Sequence, residues 1–365
     1  MVIRNEFCGH DISRLGFGAM RLPMKDGKID QAQVNDMVRT ALKSGVNYFD
    51  TSLVYHGGES ESALGTAFHG IARDSYYLAD KMSFWTIPSA DKLDEAFELQ
   101  LKKLGTDHID FYLMHSLDEG NWDIIKKYNG IEWAKKLKAS GKIRHLGFSI
   151  HAGMKLLGEV LDANDWDFAQ IQYNYLDRDD NPGWAGYDEL ERRGIPVITM
   201  ESLKGGTLTN LSDKIVEPFT ALGHTPAEMA FRWISAKDGV RVILSGMSNI
   251  AQMRDNIRIF TDMTDMTDAD YSAIDEVVEN IRASQKISCT GCRYCMPCPM
   301  GVEIPDLFRA WNTHSMRYGD NWINGGDVDT ENAMKCVKCG KCMEHCPQKL
   351  RIPDMLEKMT AEING

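Results

Sequence analysis

The chain has 365 residues with 43% hydrophobic content, enough to bury at least one large core and, by length, to make about two domains. Its formal net charge of -12 argues against a nucleic-acid polyanion as the main partner, and no segment approaches the roughly 20 apolar residues of a membrane helix. The opening stretch "MVIRNEFCGHDISRLG" carries no long apolar run, so a cytoplasmic protein without membrane attachment is expected.

Up to residue 282 the chain alternates short strand-like runs with helical patterns. "VIRNEFCGHDISRLG" reads as a hairpin and "RLGFGAM" as a first strand. In "DQAQVNDMVRTALKSG" the residues Val34, Met37, Val38, Ala41 and Leu42 share one helical stripe that ends at Gly45. Strand "VNYFD" follows, then strand "YYLAD", a helix from about Ala90 to Leu104, strand "DFYLMH", and a helix from about Trp122 to Ser140. Next come strand "IRHLGFS", a helix near Met154 to Leu161, strand "FAQIQY", a helix over "YDELERRG" and strand "PVITM". Thr225, Pro226 and Glu228 in "TPAEMAFRWI" read as N-cap, first helical residue and capping-box acid. Strand "RVILSG" and the helix through "IAQMRDNI" complete eight strand-helix units. That number and order predict a closed (β/α)8 TIM barrel over residues 1–282. A doubly wound open sheet fits less well, because no GxGxxG follows the first strand.

Chemistry in such a barrel collects where strands end. Asp50 ends the second predicted strand with Tyr55 in the loop after it, Lys81 ends the third and His115 the fourth. Each alone reads as a satisfied polar group. Together they resemble the aldo-keto reductase family, whose catalytic Asp, Tyr, Lys and His stand at these strand ends in this order. The resemblance implies an oxidoreductase acting on a carbonyl or alcohol substrate. Tyr55 is then the general acid, Lys81 the cation that favours its phenolate, Asp50 the anchor of Lys81, and His115 a hydrogen-bond donor to the substrate oxygen. Trp85, His151, Tyr173 and Asn174 are expected to line the pocket.

The same resemblance implies NAD(P)H, held by Asp50, Ser149, Gln170, Met200, Gly246, Gln252 and Asn256. Ser149 and Gln170 match the carboxamide contacts and Asn256 the adenine contact. Ile150 replaces the usual Asn after that Ser, Met200 replaces the usual stacking aromatic, and Gly246 and Gln252 replace the usual basic residues. These departures leave NADP specificity open and admit a flavin (FMN) in the barrel mouth as the alternative cofactor.

Eight of the nine cysteines lie after residue 288, and Cys8 stands alone as a small packing residue. Disulfides are rare in reducing cytosol, so metal ligation is the expected use. Structural zinc would more often use separated CxxC pairs. "CVKCGKCMEHCP" carries Cys336, Cys339, Cys342 and Cys346 before a Pro, at the bacterial ferredoxin spacing, whereas "CTGCRYCMPCP" carries Cys289, Cys292, Cys295 and Cys298 with its last gap one residue shorter. Residues 283–365 thus resemble a ferredoxin-like domain with two 4Fe-4S clusters. By that resemblance Cys289, Cys292, Cys295 and Cys346 hold one cluster, and Cys336, Cys339, Cys342 and Cys298 the other.

A hydride carries two electrons and a cluster takes one, a mismatch that a flavin resolves readily. Clusters that pass electrons to or from the barrel, structural clusters beside a purely NAD(P)H-dependent carbonyl reductase, and a non-catalytic electron-transfer protein are the readings left open. Lys335, Lys338, Lys341, Lys349 and Arg351 crowd the second cysteine group. They read either as compensation of cluster charge or as attraction for an acidic electron carrier such as a ferredoxin or flavodoxin.

Overall fold

The structure, a computed structural model, describes residues 1–178, 182–289, 291–319 and 328–364. The chain divides into two compact units, Met1–Gly205 with Ala227–Thr267, and Gly206–Pro226 with Asp268–Gly365. Residues 206–226 and the helix that begins at Asp268 therefore group with the cysteine segment, ahead of the linear boundary expected at residue 283.

In the first unit, eight parallel strands close a barrel among the described residues. They are β1 (Leu15–Gly18), β2 (Tyr48–Asp50), β3 (Tyr77–Met82), β4 (Ile109–Leu117), β5 (Ile143–Ile150), β6 (Phe168–Gln172), β7 (Val197–Met200) and β8 (Val240–Gly246). Each pairs with the next, and β8 returns to β1 through Ile243 opposite Leu15. Strands buried on both faces need continuous apolar runs, as in "IDFYLMHSL" of β4, buried at every position but Ser116. A hairpin of Arg4–Phe7 paired with His10–Ser13 carries Phe7, which stacks on Phe111 at 4.8 Å and meets Phe168 edge-on at 5.9 Å. Phe168 also lies across Gly147, where any Cβ would stand 2.6 Å from its ring.

Helix α1 (Gln31–Lys43) follows its sequence pattern, burying Val34, Met37, Val38 and Ala41, with the Asp30 side chain accepting from the Gln33 N–H as N-cap. Further round the ring come α2 (Ser60–Phe68) and α3 (Leu93–Leu104). The helix expected from Trp122 to Ser140 is two helices, α4 (Glu119–Lys127) and α5 (Gly130–Ala139). The break has a local cause. Asn129 sits in the left-handed region at φ 53°, which Asn tolerates, and a Cβ on Gly130 would meet the Phe84 ring at 2.7 Å. The ring continues with α6 (Met154–Ala163) and α7 (Gly183–Arg192).

The second unit begins with α8 (Asp213–Ala221). After it in the chain come α9 (Pro226–Ser235), whose residues from Ala227 onward belong to the barrel unit, and α10 (Ile250–Thr261), also of the barrel. The second unit resumes with α11 (Asp268–Ser284), α12 (Ile304–Tyr318), α13 (Thr330–Met334), α14 (Lys341–Glu344) and α15 (Ile352–Asn364). Its core is built on Val302, Phe308, Trp311, Leu356 and Met359, and six of the eight clustered cysteines pack against that core. Asn312 fixes the entry to the first cysteine group: its Oδ1 accepts from the Lys286 and Ile287 N–H groups at 2.9 and 3.1 Å, and its Nδ2 donates to the Ile287 carbonyl at 2.7 Å. Asn332 ties the two cysteine arms together, accepting from the Glu303 N–H at 2.9 Å and donating to the Gly301 carbonyl at 3.2 Å. No helix among the described residues is long and apolar enough to cross a membrane.

Candidate functional site

Parallel register brings the strand ends to one face of the barrel. Lys81 of β3 is fully buried, and its Nζ donates to Asp50 Oδ1 at 2.6 Å and to the Thr51 carbonyl at 2.7 Å. The same Nζ stands 4.8 Å from the centre of the Tyr55 ring. Burial pulls the Lys81 ammonium down, but Asp50 and Tyr55 more than offset this and hold it above its ordinary value. Burial pushes the Tyr55 phenol up, and the Lys81 charge and hydrogen bond oppose that rise without cancelling it. Tyr55 is thus a protonated phenol at neutral pH whose phenolate has a cation waiting beside it.

The fourth group reaches this cluster through a β-bulge. Between β4 and β5 the register steps from Met114 opposite Phe148 to Leu117 opposite Ile150, so β4 carries one extra residue at His115–Ser116. Ser116 takes the left-handed conformation at φ 52°, and its N–H donates to Ser149 Oγ at 2.7 Å. The His115 ring lies 5.8 Å from that of Tyr55 and 5.1 Å from that of Trp85. Its Nδ1 is within 2.7 Å of Ser83 Oγ and 3.0 Å of Ser52 Oγ. Burial, then the charges of Lys81 and His151, keep His115 neutral far below its usual titration range. A neutral imidazole whose Nδ1 accepts from these hydroxyls would carry its single ring proton on Nε2.

The residues expected around a cofactor sit on β5 to β8 and α10. Gln170 is directly opposite Ser149 in the β5–β6 register, and its Nε2 contacts Met200 Sδ at 3.4 Å. Gln170 Oε1 and Asp50 Oδ2 are buried without a hydrogen-bond partner. Ser149 Oγ already accepts from Ser116, so its own proton is what remains to give. Gly246 pairs with Gly18, and Gly18 with Asp50, in one row across three strands. Gln252 Oε1 accepts from the Ser248 N–H at 2.8 Å, and Asn256 Nδ2 donates to Ser245 Oγ at 2.8 Å. Arg21, which sequence reading passed over, lies across two glycines: a Cβ on Gly246 would be 3.3 Å from its stem and one on Gly205 3.0 Å from its guanidinium. Two orphaned buried acceptors, a free hydroxyl proton and a cation over a side-chain-free cradle fit a nicotinamide carboxamide, a ribose hydroxyl and a phosphate. Tyr173 and Asn174, expected at the pocket wall, are buried: Tyr173 stacks on Trp233 at 5.2 Å, and Asn174 Nδ2 donates to Asp177 at 2.9 Å.

In the second unit the cysteines line two cavities. One, of about 360 Å³, has Cys295, Cys298, Cys336, Cys339 and Cys342 in its wall; the other, of about 20 Å³, has Cys289, Cys292, Cys295 and Cys346, so Cys295 is common to both. The fourth cysteine of each arm thus reaches across to the other arm's cavity. Among the described residues no three or more His, Cys, Asp or Glu side chains converge as tightly as one bound ion requires. Together the two cavities are lined by all eight cysteines of the two arms, the number of ligands that two 4Fe-4S clusters take. Burial and the neighbouring Cys336 push the Cys342 thiol up to about 11. A cationic iron core bound there would offset that cost.

The family model for the aldo/keto reductase family matches residues 14–279, which is most of the chain. The chain belongs to the aldo/keto reductase family. A 4Fe-4S dicluster domain model matches residues 288–350 of this aldo/keto reductase, so the protein is an oxidoreductase that carries a dicluster domain. Among curated relatives, L-galactose dehydrogenase of Arabidopsis thaliana is 25% identical over 300 residues, covering 75% of this chain and 93% of the relative. NADH-specific methylglyoxal reductase of Escherichia coli is 24% identical over 319 residues, covering 73% and 95%. Among solved structures, an aldo-keto reductase from Bacillus halodurans in its holo form superposes with a TM-score of 0.65 at 24% identity, covering 76% of this chain and 96% of that one. One from Klebsiella pneumoniae in complex with NADPH superposes at 0.64 with 21% identity, covering 76% and 95%.

Sequence reasoning about this aldo/keto reductase missed Ser52, Ser83 and Arg21, because small hydroxyls and a lone Arg carry no spacing signal. It also missed the support under Lys81: Asp80 Oδ1 accepts the Lys81 N–H at 2.8 Å, and Gln100 Nε2 bridges Asp80 at 2.9 Å and Glu61 at 3.1 Å. Ser83→Ala removes the shorter of the two bonds to His115 Nδ1. We expect kcat/KM to fall about 5–10-fold, the worth of one hydrogen bond of about 1 kcal/mol, together with a shift of the His115 ring-nitrogen NMR signals. Unmoved ring signals would mean that Ser83 does not set the tautomer.

Proposed function

We propose that this chain interconverts an aldehyde or ketone and its alcohol, with Tyr55 as the proton donor and acceptor at the substrate oxygen. The observation that carries the reading is the fully buried Lys81 ammonium, 2.6 Å from Asp50 and 4.8 Å from the Tyr55 ring centre. A nicotinamide, when bound, would supply hydride to the carbonyl carbon. Tyr55 would give its hydroxyl proton to the substrate oxygen, which receives the C=O π electrons. Lys81 stabilises the phenolate left behind, and the His115 Nε2–H orients the oxygen and stabilises its developing charge. Asp50 Oδ2, Ser149 and Gln170 would hold the nicotinamide half, and Arg21, Gly246, Gln252 and Asn256 its phosphate and adenine end. The methionine at position 200, in place of a stacking aromatic, supports FMN as the second reading for this mouth.

We infer further that the clusters serve electron exchange with the barrel site. Each four-cysteine set contains one solvent-exposed member, Cys292 and Cys339. An electron exit needs such an edge, whereas a purely structural clasp does not.

Two experiments test the proposal. Anaerobically purified protein is assayed against aldehydes and ketones with NADH and with NADPH, its bound cofactor is identified by absorbance and mass spectrometry, and cluster absorbance is followed by stopped flow during turnover. Cluster bleaching or reoxidation at the turnover rate supports electron exchange; turnover with silent clusters means structural clusters. The second experiment is the pH profile of alcohol oxidation in Lys81→Met. Oxidation needs the phenolate, so its rate rises with pH through the Tyr55 titration. Removing the cation that opposes the burial effect moves that rise to higher pH. The variant leaves Asp50 buried without its cation, at a cost of about 3–5 kcal/mol, so its fold is checked by circular dichroism. A folded variant with an unshifted profile rejects the role given to Lys81.

A further inference from the structure

The two cysteine arms differ in how their charges are compensated. On the first arm Arg293 faces Asp306 and Glu303 at 3.4 and 3.5 Å. On the second, Lys338 pairs with Glu357 at 2.8 Å and Arg351 with Asp354 at 2.6 Å. Lys335 and Lys341 have no ion-pair partner among the described residues, and both are exposed. From Asn332 to Met343 the sequence holds three lysines and no acid. Around them Met334 is 61% exposed, Val337 59% and Met343 42%. These residues flank Cys339 in the sequence, and Val337 and Lys341 share with it the wall of the larger cavity, where Cys339 is the exposed member of its set.

We propose that this face, Lys335 and Lys341 with Met334, Val337 and Met343, is the docking surface for an acidic one-electron carrier protein, and that the cluster held by Cys298, Cys336, Cys339 and Cys342 is the port for exchange. The inference rests on the reading that the clusters carry electrons. Charge complementarity selects the partner. A protein of net charge -12 repels an acidic carrier as a whole. At an ionic strength of 0.1 M, however, the Debye length is about 10 Å, so a carrier approaching Cys339 responds to the nearby lysines rather than to the distant acids. Small, partly apolar contacts with charged rims are what transient redox encounters use, because fast release matters more than affinity. Lysines that instead compensate cluster charge make the competing explanation, and the two separate experimentally.

The test uses the reconstituted full chain and, as probe, a strongly acidic [2Fe-2S] ferredoxin. Binding is measured by calorimetry and cluster reduction by stopped flow, at ionic strengths from 0.1 M upward. In the wild type the association rate falls steeply with salt. The double variant Lys335→Glu, Lys341→Glu raises the ferredoxin Kd about tenfold or more and removes most of the salt dependence, with cluster absorbance and electron paramagnetic resonance unchanged. The control Lys25→Glu, Lys28→Glu makes the same change in net charge on the barrel unit's Met24–Ile29 hairpin and leaves the Kd near wild type. If the control weakens binding as much as the double variant, or if the double variant loses iron or shifts its cluster potential while the ferredoxin Kd holds, the docking proposal is overturned. Reduction by a small dye separates this from the underlying reading. Clusters that the dye reduces and that drive turnover, without ferredoxin binding, reject the docking face alone; clusters that stay outside turnover with dye and ferredoxin alike reject the reading on which it rests.

Discussion

Replacing Tyr55 by Phe lowers the chemical step of carbonyl turnover by about 10²-fold or more, the usual contribution of a positioned general acid. The substitution removes one hydroxyl and little else. The ring that faces Lys81 at 4.8 Å and His115 at 5.8 Å stays in place. Lys81 keeps its bonds to Asp50 and the Thr51 carbonyl, and none of the groups proposed to hold the nicotinamide, Asp50 Oδ2, Ser149 and Gln170, is touched. Nicotinamide affinity, read by fluorescence quenching, therefore stays near wild type while the single-turnover rate collapses. A loss of affinity in step with the loss of rate would move Tyr55 from proton transfer to cofactor binding. An unchanged single-turnover rate would remove it from the reaction.

The second large effect concerns the metal. Anaerobic reconstitution should give roughly eight iron and eight acid-labile sulfide per chain, from two cysteine sets of the ferredoxin kind. Stoichiometric zinc without sulfide would contradict it. Cys298→Ala should then damage the cluster centred on Cys336, Cys339 and Cys342, whose cavity it shares, and spare the one belonging to its sequence neighbours. The consequence for folding is larger than one ligand suggests, because the cysteines Cys289, Cys295, Cys298, Cys336, Cys342 and Cys346 pack directly on the core of Val302, Phe308, Trp311 and Met359. Removing both clusters with a chelator under reducing conditions should lower amide-exchange protection in α12 and α15 by more than about 100-fold, since metal binding in such segments is folding free energy. The barrel strands form a separate compact unit with a core of their own, including Phe7, Phe111, Phe168 and Ile198, and their protection should persist.

Much of this was legible in the linear chain. Apolar residues at helical spacing mark α1 through Val34, Met37, Val38 and Ala41, and apolar runs mark β3 and β4, because both periods are properties of neighbouring residues and need no partner to be read. Eight alternating units leave few ways to bury the strands, and closure into a barrel is the solution the structure adopts. The cysteine spacings and the polar residues at strand ends announce chemistry in the same local way. Closure decided the rest. His115 meets Ser52 and Ser83 from 63 and 32 residues away, and it is aimed by an extra residue in β4 that registers only against β5. Arg21 crosses Gly205 and Gly246 only once β1, β7 and β8 are neighbours. Asn129 breaks a helix that periodicity joins, because Phe84 occupies the space Gly130 leaves. Cys298 and Cys346 exchange arms through Asn332 and a shared core, and residues 206–226 join the cysteine unit although they precede its first cysteine by more than sixty positions. In each case the deciding term is a contact between residues far apart in the chain. Its energy depends on distance and packing after folding, quantities that composition, spacing and periodicity do not encode.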